Sequence, residues 1–172
     1  MPEKPDEQTL LREVEDFRQA ASVALLATAD EQGAPEASHA PFVIDENGCF
    51  CLLISRLAKH TRNLLTRPQA SLLLLENPAD SANPFALRRL QFDCEALFLE
   101  RGDRNREAVI EGLRNRFGRF VDTLNSLGDF EVVSLRPLSG KYVRGFAQTW
   151  TLSGENLQQL AHVNPAREQG GA

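Results

Sequence analysis

The stretch that decides how this chain is read spans residues 54–76, ISRLAKHTRNLLTRPQASLLLLE. An apolar strand ends at Ser55-Arg56 and breaks into a short helix that opens with Lys59, His60, Thr61 and Arg62. The chain turns at Pro68 and returns as a second apolar strand over residues 70–75. Helix N-termini present free N–H groups and the positive end of the helix dipole, so a junction this rich in cations and hydroxyls suits a phosphate or a carboxylate. It is the first candidate for a cofactor site.

On the N-terminal side, Leu10, Val14, Phe17 and Ala21 recur at helical spacing and predict an amphipathic helix over residues 8–20. Residues 22–29 read as a strand, Asp30-Glu31-Gln32-Gly33 as a turn, and residues 35–44 as an extended run with His39 in its middle. Asp45-Glu46-Asn47-Gly48 is a hairpin signal before the strand at residues 49–55. On the C-terminal side a proline-containing loop at 77–84 precedes a long strand at 87–99 that carries Arg88-Arg89. A helix is expected from Asp103, with a stripe of Val109, Leu113, Phe117, Phe120, Val121 and Leu124. Strands at 130–135 and 141–152 follow, joined at Pro137-Leu138-Ser139-Gly140, then a short last helix at 155–160. The polar, glycine-containing tail at 163–172 is expected to be loose.

Tight turns between neighbouring strands imply antiparallel pairing, and the absence of βαβα alternation excludes a doubly wound sheet. About seven strands are most stable when closed, because closure removes exposed edges. The expectation is an α+β protein, a small antiparallel barrel with flanking helices forming a single domain over residues 1–172.

Composition limits the partners. The chain has 172 residues, 42% hydrophobic and 25% charged, with a net charge of −5, which argues against bulk nucleic-acid binding. No apolar segment reaches the roughly 18 residues of a membrane span, and the charged N-terminus is unlike a signal peptide. A cytoplasmic location is expected. Cys49, Cys51 and Cys94 form no disulfide-scaffold pattern, and Cys-x-Cys alone does not close a tetrahedral metal site. They read as small buried hydrophobes.

Few residues are left to carry chemistry. His39, inside a strand, reads as structural. His60 opens the short helix, as an anion donor or a surface residue. His162, just after the expected last helix, is a metal or haem-iron ligand or a solvated residue. No Gly-x-Ser-x-Gly elbow, P-loop, dinucleotide fingerprint or His-Glu-x-x-His is present. Strand alternation lets only one of Arg88 and Arg89 point into a given site. Those arginines, with Lys59 and Arg56, suit a ligand with two or more negative groups: a flavin phosphate or a pair of haem propionates. Tyr142, Phe146 and Trp150, four apart, lie on one face if residues 141–152 form a regular strand, as an aromatic wall or as core.

The 54–76 segment resembles the haem-utilisation proteins of the HugZ/HutZ type, within the pyridoxamine 5′-phosphate oxidase-like, FMN-binding split-barrel superfamily. The likeness extends through Ala27-Thr28, Pro35, Pro41-Phe42, Arg88-Arg89-Leu90-Gln91-Phe92-Asp93, Arg116-Phe117-Gly118, Asp129-Phe130 and Tyr142-Val143-Arg144-Gly145-Phe146. It covers roughly residues 10–162. It implies a split barrel of six to seven strands, a homodimer and cofactor sites shared between protomers. For a flavin it implies a phosphate held by Arg56, Lys59 and Thr61, with Ser55 nearby and His60 beside them. For haem it implies a cleft at the dimer interface, iron bound by a C-terminal histidine, Asp129 orienting that histidine, and Arg88 and Arg89 facing the propionates. The pattern departs in one place. Haem-binding members place the histidine a few residues beyond 162 in a Gly-His-Arg-like tail, where this chain has Asn164-Pro165-Ala166-Arg167. Either His162 takes that role or iron ligation is lost.

Overall fold

A computed structural model describes residues 5–81 and 83–163, so residues 164–172 of the expected loose tail lie outside the described residues. The elements run α1 (Glu7–Ala20), β1 (Val23–Ala29), β2 (Pro35–Ile44), β3 (Phe50–Ser55), α2 (Lys59–Thr66) and β4 (Gln69–Leu75). After two 3-10 turns come β5 (Arg89–Leu99), α3 (Arg104–Phe117), α4 (Phe120–Ser126), β6 (Phe130–Gly145), β7 (Gln148–Ser153) and β8 (Gln159–His162). All neighbouring strands pair antiparallel, in the order β3-β2-β1-β4-β5-β6-β7-β8. The additional pairing of β3 with β6 closes the first six into the expected barrel, and β7 and β8 extend it as a ribbon.

The barrel closes because β1 and β4 alternate strictly, sending Ala24, Leu26, Leu72 and Leu74 inward. β3 is apolar on both faces: Phe50, Leu52 and Ile54 fill the barrel. Cys49 and Cys51 pack beneath α3 with Val109, Ile110 and Leu113. Burial pushes the Cys51 and Cys94 thiols up to about 12, so both stay protonated, as expected of small core residues. α1, capped by the Asp6 side chain on the Thr9 N–H, buries Leu10 and Val14. Its Glu13 takes a bidentate Arg144 and the Tyr142 hydroxyl.

Four expectations require correction. The strand expected over 141–152 is a hairpin: β6 ends at Gly145, Ala147 takes a φ of 57°, and β7 returns from Gln148. Phe146 sits on that turn, 79% exposed, whereas Tyr142 and Trp150 are direct cross-strand partners. The break expected at 137–140 is only a register shift near Asp93 and Cys94, because the paired β5 is long enough to bridge it. The helix expected from Asp103 through Leu124 divides at Gly118, whose φ of 84° stops α3. The last helix, expected at 155–160, is a single 3-10 turn at Glu155–Leu157 followed by β8. Asn156 and Leu157 there take left-handed φ values of 53° and 57°.

Gly140 lies where β6 presses closest to the core. A Cβ there would meet Leu152 Cδ1 at 3.0 Å and two Phe92 ring carbons at 3.1 Å. Gly140→Ala should therefore cost about 1–3 kcal/mol by overpacking, read as a lower urea midpoint at unchanged m-value.

Candidate functional site

The expected site residues gather in two places at opposite ends of β6. The first is the junction of β3 with α2. Ser55 ends β3, its hydroxyl donates to Asp129 Oδ2 at 2.5 Å, and its oxygen accepts the Leu57 N–H at 3.1 Å. Asp129 stands on the turn just before β6, where its carbonyl also accepts the Arg56 N–H at 2.7 Å. Arg101 fixes this turn by donating to the carbonyls of Asn125, Leu127 and Phe130. Ser55, Arg56, Lys59, His60, Thr61 and Asp129 are thus brought together.

The electrostatics of this junction differ from those of an open anion site. Arg56 pairs with Glu131 at 2.6 Å, and Lys59 pairs with Glu36 at 3.2 Å. Arg62 turns back to donate to the carbonyl of Leu57 at 2.6 Å. A phosphate arriving here must displace two carboxylates of the protein's own from these cations. No side chain caps α2, however, and two polar atoms of its first turn, His60 Nε2 and Thr61 Oγ1, are buried without partners among the described residues. Thr61 is 0% exposed, so its hydroxyl faces the interior. Behind it Asn63 donates to Thr28 Oγ1 at 3.0 Å, pinning the helix on β1.

The second place is the far end of the β5–β6–β7–β8 ribbon. Leu90, Tyr142, Trp150 and His162 form one row across it by direct pairing. Direct partners share a face, so His162 lies on the face covered by α1. Its imidazole meets the Trp150 ring edge-on, with centroids 5.3 Å apart, and stays exposed. Arg88 lies on the same face: its guanidinium pairs with Glu76 at 3.2 Å and covers the Phe17 ring at 5.5 Å. Arg89 points to the outer face, in register with Leu75 and Val143, with no carboxylate partner among the described residues. The alternation expected of this pair is present, and the two arginines serve opposite faces. Asp129 and His162, expected to act together, occupy opposite ends of one protomer.

Neither place coincides with the cavities of about 660 and 240 Å³ between α1, the β2–β3 hairpin and the Glu155–Leu157 turn, which none of the expected site residues lines. Both have Arg18 in their walls; its guanidinium caps the Phe50 and Phe92 rings at 5.3 and 5.8 Å. That capping role accounts for it.

Residues 10–144 match the family described as pyridoxamine 5′-phosphate oxidase. The chain belongs to that family. Among its relatives, the haem oxygenase HutZ of Vibrio cholerae is 40% identical over 151 residues, 88% of this chain and 85% of HutZ. The crystal structure of HutZ, described as a haem storage protein, superposes with a TM-score of 0.70 over 73% of this chain and 88% of that one. The crystal structure of Campylobacter jejuni ChuZ, 27% identical, gives a TM-score of 0.83 over 94% of this chain and 67% of ChuZ. A chloroplastic non-canonical haem oxygenase of Arabidopsis thaliana is 31% identical over 139 residues, 78% of this chain and 40% of that protein. The matched span includes the barrel strands β1 to β5, most of β6, and residues 54–76.

Burial holds the His60 imidazole below its ordinary value of 6.5, against the opposing pull of Glu36. The unfolded chain then binds this proton at higher pH than the folded chain, so folding stability falls as pH drops through 6.5. His60→Gln should flatten that acid-side loss, measured as urea midpoints of both proteins from about pH 7.5 down to about 5. Parallel curves would contradict the assignment.

Proposed function

We propose that this protein binds haem in a cleft between two copies of the chain and supports its oxidative opening or its transfer. The observation that carries this reading is His162: an exposed imidazole, fixed by β8 against Trp150, in a chain 40% identical to a haem oxygenase. Neutral imidazole is the ordinary proximal ligand of haem iron. Residues 163–172 contain no histidine, cysteine, methionine or tyrosine. Arg88, on the His162 face, supports a propionate contact there once Glu76 is displaced, whereas Arg89 faces outward, away from that group. When bound, haem supplies the oxygen-activating iron; the chain supplies the ligand, the cations and the walls.

The outer face of β2-β1-β4 supports the dimer: Val23, Leu25 and Leu75 there are 44%, 45% and 39% exposed beside Pro41, His39 and Ala37. A second copy covering this apolar face completes the barrel's burial. Asp129 and His162 lie at opposite ends of one protomer, so the expected role of Asp129 beside that histidine requires the second copy. No described helix is long and apolar enough to cross a membrane, which fits a cytoplasmic protein.

FMN is the second reading, favoured by the uncapped N-terminus of α2 and the unpartnered Thr61 hydroxyl. The pairing of Arg56 and Lys59 with Glu131 and Glu36 weighs against it. A non-catalytic carrier that kept the fold is the third.

Haem and FMN titrated side by side separate these. Trp150 is the only tryptophan, so haem at His162 should quench nearly all intrinsic emission while a Soret band grows in. His162→Ala should abolish the shift of the Soret band from its position in free haem, and FMN should leave the emission largely unchanged. Haem binding that survives His162→Ala would remove the ligand assignment. Saturable FMN binding without haem binding would favour the second reading, and binding of neither the third.

A further inference from the structure

The chain contains one tyrosine and one tryptophan, and the fold stacks them on each other. Tyr142 and Trp150 are direct partners across β6 and β7, with ring centroids 6.1 Å apart and an interplanar angle of 29°. On its other side Trp150 meets His162 edge-on at 5.3 Å. Aromatic contact is therefore continuous from an exposed imidazole to a phenol that is 0% exposed, through an indole that is 3% exposed.

The inner end of this row is built for a proton. The Tyr142 hydroxyl donates to Glu13 Oε2 at 3.1 Å. Arg144 holds both oxygens of that carboxylate, Nε on Oε2 at 2.9 Å and Nη2 on Oε1 at 3.1 Å. Burial, then the Glu13 charge, push the phenol up to about 12, so the proton stays on Tyr142 at neutral pH, aimed at an acceptor. A phenylalanine would fill the same space without needing Glu13. Packing accounts for the rings, but not for a hydroxyl set against a carboxylate at the buried end of a path that starts at the candidate ligand.

We propose that His162, Trp150 and Tyr142 form a one-electron relay that drains an oxidising equivalent from a group held at His162 into the α1 side of the protein. By chemical class the oxidant is a peroxide-activated haem, and this identity alone rests on the haem reading above. Trp150 gives one electron to the oxidant, which is reduced by one equivalent. Tyr142 returns an electron to the indole, and its phenolic proton passes to Glu13 Oε2. The step leaves a neutral tyrosyl radical, a restored Trp150 and a protonated Glu13, still hydrogen-bonded by Arg144. Burial of both rings keeps the radical away from water.

Two arms test this with a readout independent of turnover. In the first, the haem-free protein is photo-oxidised with tris(bipyridine)ruthenium(II) and a cobalt(III) acceptor, frozen, and examined by electron paramagnetic resonance. A tyrosyl signal is expected, narrowed by ring-deuterated tyrosine, which labels Tyr142 alone. Trp150→Phe should lower its yield at least tenfold, and Tyr142→Phe should leave an indolyl signal in its place. Glu13→Gln, which keeps an acceptor oxygen but removes the base, should lower the yield as well and guards against a Trp150→Phe protein that fails to fold. Absence of the tyrosyl signal in the unaltered protein overturns the relay. So does a yield indifferent to both Glu13→Gln and a folded Trp150→Phe. In the second arm, haem-loaded protein is mixed with hydrogen peroxide, and the same tyrosyl signal is expected. A photochemical signal in a protein that binds no haem keeps the relay and removes the haem reading. Haem binding without a peroxide-generated signal overturns the relay's proposed role.

Discussion

The structure hangs on β6. Its first half closes the barrel against β3, its second half carries β7, and β5 pairs along nearly its whole length. A sheet of this size with free edges would invite association, and a single 16-residue strand serving three neighbours removes most of that edge at once. The strand accommodates Pro137, which has no N–H to donate, by a register shift opposite Asp93 and Cys94. Gly140 then lets the strand lie against Phe92 and Leu152. Because both candidate clusters sit at the ends of this one strand, its length fixes their separation. Within one protomer the two clusters do not meet.

At the β3–α2 junction the balance of charge matters more than the count of cations. Arg56, Lys59 and Arg62 invite an anion when read along the chain, yet each is engaged by Glu131, Glu36 or a carbonyl. Exposed pairs of this kind contribute little to stability, typically below about 1 kcal/mol, so their consequence is chiefly for binding. They lower the net attraction offered to a phosphate. At the other end His162 has no carboxylate to displace among the described residues, although Arg88 beside it is paired with Glu76.

How far the sequence disclosed this follows from which forces are local. β2 was legible over its whole length, and the cap at Asp103 and the turn at Asp45–Gly48 were as well, because alternation, capping and turn chemistry act between near neighbours. The 54–76 segment carried the family signature for the same reason. The turn at Phe146 was not legible: Arg144-Gly145-Phe146-Ala147 lacks an Asn-Gly or Asp-Gly pair, and positive φ falls on Ala147, a residue type that seldom signals it. β8 was hidden because residues 159–162 alternate too briefly to be distinguished from a helix end. The carboxylates that engage Arg56 and Lys59 lie on β6 and β2, and no local pattern links such distant positions. Glu13 escaped notice for that reason too. It sits within an ordinary helical stripe, and its role depends on residues more than a hundred positions away.

That last separation has a kinetic side. α1 is made first but docks on groups supplied late: Arg144 and Tyr142 for Glu13, and Arg116 for the carbonyls of Gln19 and Ala21. During synthesis, its apolar stripe of Leu10 and Val14 has no complete surface to cover until β6 has emerged and paired. Docking of the N-terminal helix thus draws on side chains from α3 and β6, far later in the chain, and the same helix walls the α1 side of the ribbon bearing His162.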